Sequence, residues 1–230
     1  MSHTLDAVLS RRAAALLQPL AALDWSDIND IREGSEPTMR ALAADKPLLR
    51  DLVVSIADDP ERRSICEQDY ALSKYVLYND PEGRFRVRLH IMGEAKAETP
   101  HSHRNCFASL ILRGGYEHIM YTPLDDGVTL VKLEDLKPAV RRWEGEGSHY
   151  AVHHSVIHHT QTKGVPCVSL MVRGPSLRSQ AINFDLTESR TWWHRGAADL
   201  SESEAALVQR LDSDEALGVM VRYLQDTEVI

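Results

Sequence analysis

Eleven histidines stand in this chain of 230 residues, and seven of them fall in two short stretches. His101 and His103 lie in the first; His149, His153, His154, His158 and His159 lie in the second. Neutral imidazole is a ligand for Fe, Zn, Cu and Ni. In an extended segment, residues two apart point to the same side, so the His-x-His pair at 101 and 103 can converge on one ion. A third ligand is expected from the second stretch. There Val152, Val156 and Ile157 favour strand over helix, which disfavours reading the four-residue step from His154 to His158 as a helical zinc pair. Isolated histidines are as a rule surface or hydrogen-bonded core residues. A His-x-His pair followed by a later strand histidine is less easily accidental, and His153 and His159 are expected behind the ligands or in solvent.

The elements that must position these histidines have a period of two. Arg84 to Tyr121 reads as two strands flanking a short polar connection that carries His101 and His103. Tyr75–Tyr78 is an earlier strand. Arg84, Arg86 and Arg88 alternate with Phe85, Val87 and Leu89, which puts three arginines on one face. Further strands are expected at 106–113, 116–122, 128–132, 139–144, 149–153, 156–160 and 167–173. Turn signals separate them at Asn79–Gly83, Asp125–Gly127 and Lys163–Gly164. Many short strands at this spacing favour a sandwich or barrel.

Three further residues are candidates for catalysis. Arg173 shares a face with Ser169 and Met171, the face expected to look inward. A buried guanidinium needs an anionic partner, and its fork can grip a carboxylate or phosphate with two parallel hydrogen bonds. That partner is either a protein carboxylate or a ligand. Arg86 and Arg88 offer the same choice, with a solvated face expected for at least one. Tyr116 and His118 share a strand face and can line a pocket. Trp192 and Trp193 are expected to anchor the tail to the barrel, the alternative being that with His194 they close the pocket mouth.

Both ends of the chain read as helix. Residues 4–22 carry an amphipathic pattern that Pro19 ends or kinks. Trp25–Pro37 reads as a turn or short helix, a helical segment starts at Glu36-Pro37, and Asp45-Lys46-Pro47 opens another. Near the C-terminus, Ser201 with Glu204 and Asp212 with Glu215 have the spacing of capping boxes. The expected organisation is a single domain, with a helical segment at 1–70 packed on a barrel at 71–195 and C-terminal helices at 196–230.

Composition excludes several classes. The fractions of 43% hydrophobic and 26% charged residues are those of an ordinary globular protein. A net charge of -8, from 34 acidic and 26 basic residues, disfavours nucleic acid or an anionic membrane as partner. The chain has no apolar run of membrane-spanning length, and its first twenty residues do not have the order of a secretory leader. Three cysteines, Cys66, Cys106 and Cys167, are too few and odd in number for a disulfide framework. They point to a reducing, cytoplasmic compartment. There is no Gly-rich dinucleotide or P-loop pattern.

The stretch PHSHRNCFASLILRGGYEH resembles the first motif of the cupin superfamily, with its His-x-His, hydrophobic strand and Gly turn at Gly114-Gly115. HYAVHHSVIHHTQT resembles the second, which ends in a strand-borne histidine. Within cupins the chain looks most like cysteine dioxygenase and related thiol dioxygenases. The pieces are the strand from Arg84 to Gly93, His101 and His103, Cys106-Phe107, Ile157-His158, and Val168-Ser169-Leu170. The resemblance covers about residues 75–175. It implies a mainly β fold, a cupin (RmlC-like jelly-roll) barrel with the helical segments outside it. It also implies a metal held by His101, His103 and His158, with His154 as the alternative third ligand, and a possible homodimer.

Departures from the family shape the expected chemistry. Cupins commonly add a Glu soon after His-x-His, yet Arg104–Gly114 holds no acid; thiol dioxygenases share that neutral three-His set. Of the Ser-His-Tyr arrangement those enzymes carry after the third ligand, only Ser169 is kept, with Met171 and Arg173 in the other two places. Their carboxylate-binding Arg falls near Tyr75. The expected function is therefore a mononuclear Fe(II) oxygenase using O2 on a small acid other than free cysteine. The alternatives are a Zn, Mn or Ni cupin acting as isomerase, lyase or hydrolase, and a metabolite-binding cupin without catalysis.

Overall fold

The computed structural model describes residues 2–69, 71–121, 136–185, 188, 190–196 and 208–230. The strand expected at 128–132, the turn at Asp125–Gly127 and the capping box at Ser201 lie outside these residues.

Carboxylates and one hydroxyl start the helices. Helix α1 (Ser2–Leu17) runs into a 3₁₀ turn at Gln18–Ala22, where Pro19 stands. Helix α2 (Ile28–Ala44) is capped by Asp27, whose side chain accepts from the Asn29 N–H at 2.8 Å. This corrects the expected start at Glu36-Pro37. Pro37 lies inside one long helix, whose cap and buried face of Ile31, Ser35, Thr38, Met39 and Leu42 outweigh the hydrogen bond that proline removes. Asp45 caps α3 (Lys46–Val54) through the Leu48 N–H at 3.1 Å, with Pro47 in the first turn as expected. Asp59 caps α4 (Pro60–Ser64). The last helix, α5 (Asp214–Asp226), is capped by Ser213, one residue beyond the expected Asp212. No helix among the described residues is long and apolar enough to cross a membrane.

Eleven strands stand among the described residues. They are β1 (Glu67–Gln68), β2 (Leu72–Asn79), β3 (Arg86–Met92), β4 (Phe107–Tyr121), β5 (Pro138–Gly145), β6 (His149–Val152), β7 (His158–Gln161), β8 (Cys167–Arg173), β9 (Gln180–Asp185), β10 (Arg190–Arg195) and β11 (Gln209–Arg210). Every pairing is antiparallel. One layer runs β11-β1-β2-β3-β8 onto the first half of β4, with β6 on that half's other side. The second half of β4 pairs with β5 and β7. The segment 97–102 then bridges β7 to β9, which pairs with β10. The mainly β class expected from the sequence is the one the structure has.

The two strands expected at 106–113 and 116–122 are one strand that bends and changes partners at Gly114-Gly115. Gly114 has φ +70°, and a Cβ there would meet the Pro166 carbonyl oxygen at 1.9 Å. At Gly115 a Cβ would meet the Glu144 carbonyl oxygen at 2.5 Å. The backbones approach too closely for any side chain, so glycine makes the bend possible without breaking the ladder.

Strand alternation sorts the sheet into two faces. Val87, Leu89, Ala108, Leu110, Leu170 and Val172 pack against Ile31, Met39, Leu42, Leu48 and Leu52 of the helices in one apolar core. The opposite face carries Met92, Phe107, Ile111, Cys167 and Met171, which cluster with Tyr116, Tyr150 and Val152. Arg86, Arg88, His90, Ser169 and Arg173 share this inner face by register. Arg84 does not: it precedes β3 and pairs in solvent with Asp80 and Glu82.

Replacing Gly114 by Ala combines a left-handed backbone with steric overlap and is expected to cost roughly 2–6 kcal/mol. Gly83 has φ +72°, and a Cβ added there would meet nothing within 4 Å, so Gly83→Ala should cost only about 1–2 kcal/mol. Urea unfolding midpoints of the two variants compare these directly, and equal midpoints would refute the close approach as the reason for glycine at 114.

Candidate metal centre

Two reciprocal backbone hydrogen bonds bring the histidine stretches together. The His101 N–H donates to the His158 carbonyl at 2.9 Å, and the His158 N–H donates to the His101 carbonyl at 2.9 Å. The His103 N–H donates to the His154 carbonyl at 3.3 Å. Between the two histidines, Ser102 turns the other way. Its N–H donates to the Ile182 carbonyl at 2.9 Å, and its Oγ accepts from the Ile182 N–H at 3.0 Å. The His-x-His segment is thus held between β7 and β9, with both imidazoles on one side.

One ligand atom from each of His101, His103 and His158 lies within 4.8 Å of the others. The ring centroids are 4.7–4.9 Å apart, and the Nε2 atoms of His103 and His158 are 2.7 Å apart. Burial, followed by the neighbouring imidazoles, holds His103 and His158 well below the usual imidazole range. Both are therefore neutral at pH 7, with lone pairs available. His154 does not join them. It groups instead with Cys106 and His153, and its N–H donates to the Cys106 Sγ at 3.3 Å. Burial pushes the Cys106 thiol up.

The donor set fits a metal because the outer nitrogens of two of these rings are already engaged. His101 Nδ1 lies 2.7 Å from the Thr99 carbonyl oxygen. A carbonyl can only accept, so Nδ1 is the protonated nitrogen there, and in the neutral tautomer Nε2 is the acceptor. His158 Nδ1 lies 2.8 Å from His118 Nε2. His118 is fully buried and its Nδ1 stands 3.5 Å from the Glu144 carboxylate, the same oxygen of which pairs with Arg142. With the His118 proton on Nδ1 facing Glu144, His118 Nε2 accepts from His158 Nδ1–H. The His158 Nε2 lone pair then faces the other histidines. Burial lowers the His118 pKa, and Glu144 opposes that shift. Carboxylate–histidine chains of this kind orient metal-ligating imidazoles.

No carboxylate belongs to the converging group among the described residues. Glu98, the acid nearest in sequence, accepts from the Thr160 hydroxyl at 2.6 Å. The three candidates for catalysis are placed differently. His118 stands behind His158. Tyr116 is buried with its hydroxyl bonded to that of Tyr150, its ring 6.4 Å from that of His118. Arg173 lies on the inner face, between Arg86 and Phe107 in the register. Phe107 packs its ring 4.7 Å from His103 and 5.8 Å from His158.

The roles of Glu144, Tyr150 and Phe107 were not assigned from the sequence. Alternation on 149–153 could have turned Tyr150 inward, but nothing in the sequence couples Glu144 to His118 across a strand pair. Trp192 and Trp193, expected to anchor the tail, lie on β10 and are 39% and 45% exposed.

No family model matches this chain, and no curated protein does. Among solved structures it is similar to the DMSP lyase DddQ from Ruegeria pomeroyi DSS-3, with 19% identity and a TM-score of 0.38 over 55% of this chain and 58% of that one. The polyketide cyclase RemF from Streptomyces resistomycificus gives 18% and 0.38 over 52% and 75% of the two chains. A RmlC-like cupin from Shewanella frigidimarina gives 13% and 0.37 over 50% and 87%. Likenesses this slight carry no functional weight. The antiparallel architecture stands on its own strand pairings and is consistent with a cupin β-barrel.

His118→Ala should leave the fold intact and weaken binding of a divalent metal such as Zn or Co(II) about 10–100-fold, as read by competition with a chromophoric chelator. Wild-type affinity in this variant would remove His118 from any role in the site.

Proposed function

We propose that this chain is a cupin-type metalloenzyme, with one Fe(II) held by His101, His103 and His158, that uses O2 to oxidise a small acid. The observation that carries this reading is the convergence of three imidazoles with no carboxylate among them in the described residues. Bound there, iron would supply the redox chemistry, with positions left open for O2 and a substrate atom.

The protein's own part is orientation and exclusion of water. The Thr99 carbonyl and His118 stand against the outer nitrogens of His101 and His158, which turns both Nε2 atoms inward. Phe107 covers one side of His103 and His158. The hydroxyl-paired Tyr116 and Tyr150 close the interior beside His118. Arg173 holds the acidic end of the substrate. The likeness to thiol dioxygenases supports the neutral three-His set, while Met171 and Arg173 in place of the family's His and Tyr argue for an acid other than free cysteine.

Protein reconstituted anaerobically with Fe(II), Zn and Mn, then weighed for metal by elemental mass spectrometry, tests the proposal. About one iron per chain is expected, retained in His154→Ala and lost in His158→Ala, with O2 uptake on some member of a panel of small carboxylic acids. One zinc per chain without O2 uptake would shift the chemistry to metal-activated water. No bound metal would sink the enzyme reading.

A further inference from the structure

The inner face carries a group of cations that the protein itself does not neutralise. Arg86 and Arg173 are direct cross-strand partners, and Arg88 is two residues along β3 on the same face. Like charges directly opposite on neighbouring strands repel. Arg86 donates to the neutral Asn79 side chain at 2.9 Å. Arg88 has one carboxylate, Glu67 at 3.8 Å, and its side chain is 14% exposed. Glu67 is shared with Lys74 at 3.8 Å and Arg210 at 4.0 Å. Arg173 has no ion pair among the described residues. The Nε atoms of Arg88 and Arg173 and the Nε2 of His90 are buried with no hydrogen-bond partner there.

Of the three guanidiniums only Arg88 has a carboxylate within 4.0 Å among the described residues, while Glu67, Glu61 and Asp69 act on the group at longer range. Guanidinium stays charged in proteins, so the excess must be met from outside or left as a buried cost. Burial comes first and the crowding of Arg88 and Arg86 second in pushing the Arg173 guanidinium down to about 9.

The register ties this cluster to the histidines. Phe107, Arg173 and Arg86 lie in one row across β4, β8 and β3. Cross-strand partners project to the same face, and neighbouring strands are about 4.8 Å apart. Phe107 touches His103. The cationic row thus begins about one strand spacing from the residue that covers the histidines, a span a small organic molecule can bridge.

We propose that Arg86, Arg88 and Arg173 form the anion-recognition end of the site and select a substrate whose far end carries two negative charges, a dicarboxylate or a phosphate monoester, rather than a single carboxylate. This rests on reading the inner face as the site of a small acid, but it does not need the metal. Guanidinium forks bind either dianion through charge-assisted bidentate hydrogen bonds.

The test uses the full chain without metal, at pH 8, with malonate, inorganic phosphate and acetate as probes in calorimetry and thermal unfolding. Malonate or phosphate is expected to bind one to one and raise the melting temperature, with acetate at least tenfold weaker; whichever dianion binds tighter identifies the head group. Arg173→Met and Arg88→Met should each weaken the dianion at least tenfold. Without ligand, Arg173→Met should melt above wild type, because it removes a buried, unpaired charge. His158→Ala should retain dianion binding, which separates failure of the metal reading from failure of this one. The proposal is overturned if neither dianion binds saturably, if acetate binds as well as both, or if both Arg variants keep wild-type affinity. Loss of binding in His158→Ala would place the anion at the histidines and overturn it as well. The acetate comparison needs no variant, so it decides the matter even if an Arg variant does not fold.

Discussion

The reciprocal backbone pair between His101 and His158 is the contact on which the candidate site depends. Side chains alone could not bring residues 57 positions apart to a common point with useful precision. Each imidazole would carry the rotational freedom of its own loop. Two N–H···O=C bonds of 2.9 Å fix the two Cα atoms as strand partners. Ring orientation is then settled by the outer nitrogens, through the Thr99 carbonyl on one side and His118 on the other. The proposed metal would meet donors that are already arranged, and little ordering entropy would remain to be lost on binding.

A second constraint is the partition of charge. The chain is acidic overall, at -8, yet the inner face of β3 and β8 is basic. Many of its acids lie elsewhere: Asp27, Asp45 and Asp59 cap helices, Glu36 and Glu117 pair with arginines or lysine in partly exposed positions, and the buried Asp80 pairs with Arg84. The inner face of β3 and β8 is left with three guanidiniums of which only Arg88 has a carboxylate within 4.0 Å among the described residues. In a low-dielectric interior such charges act more strongly on an entering anion than they would at the surface.

Much of the fold was legible because period-two alternation is written plainly in β3, and β2 and β8 are short apolar runs bounded by polar or turn residues. His-x-His worked as a signal because two-residue spacing on extended backbone allows little else. Other features rest on contacts between residues far apart in sequence. Among the described residues β9 and β10 pair only with each other and with the 97–102 segment, contacts that no local spacing announces. The bend in β4 looks like a turn from its two glycines, because sequence does not show that Pro166 and Glu144 press on the backbone from either side. Pro37 looks like a helix start because the cap that overrides it lies ten residues earlier. The chain Glu144–His118–His158 joins three strands and leaves no spacing to read. The alternation that put Arg86 and Arg88 on one face was legible; that this face turns inward was not, since the pattern is the same for a solvated face.

The bend at Gly114-Gly115 has a mechanical corollary. Because β4 does not break there, Phe107 near its start and His118 eleven residues on belong to one hydrogen-bonded strand. Phe107 presses on His103 from one side, and His118 holds His158 from the other. One backbone therefore carries both supports of the histidine group, an aromatic ring beside His103 and a ring nitrogen against His158.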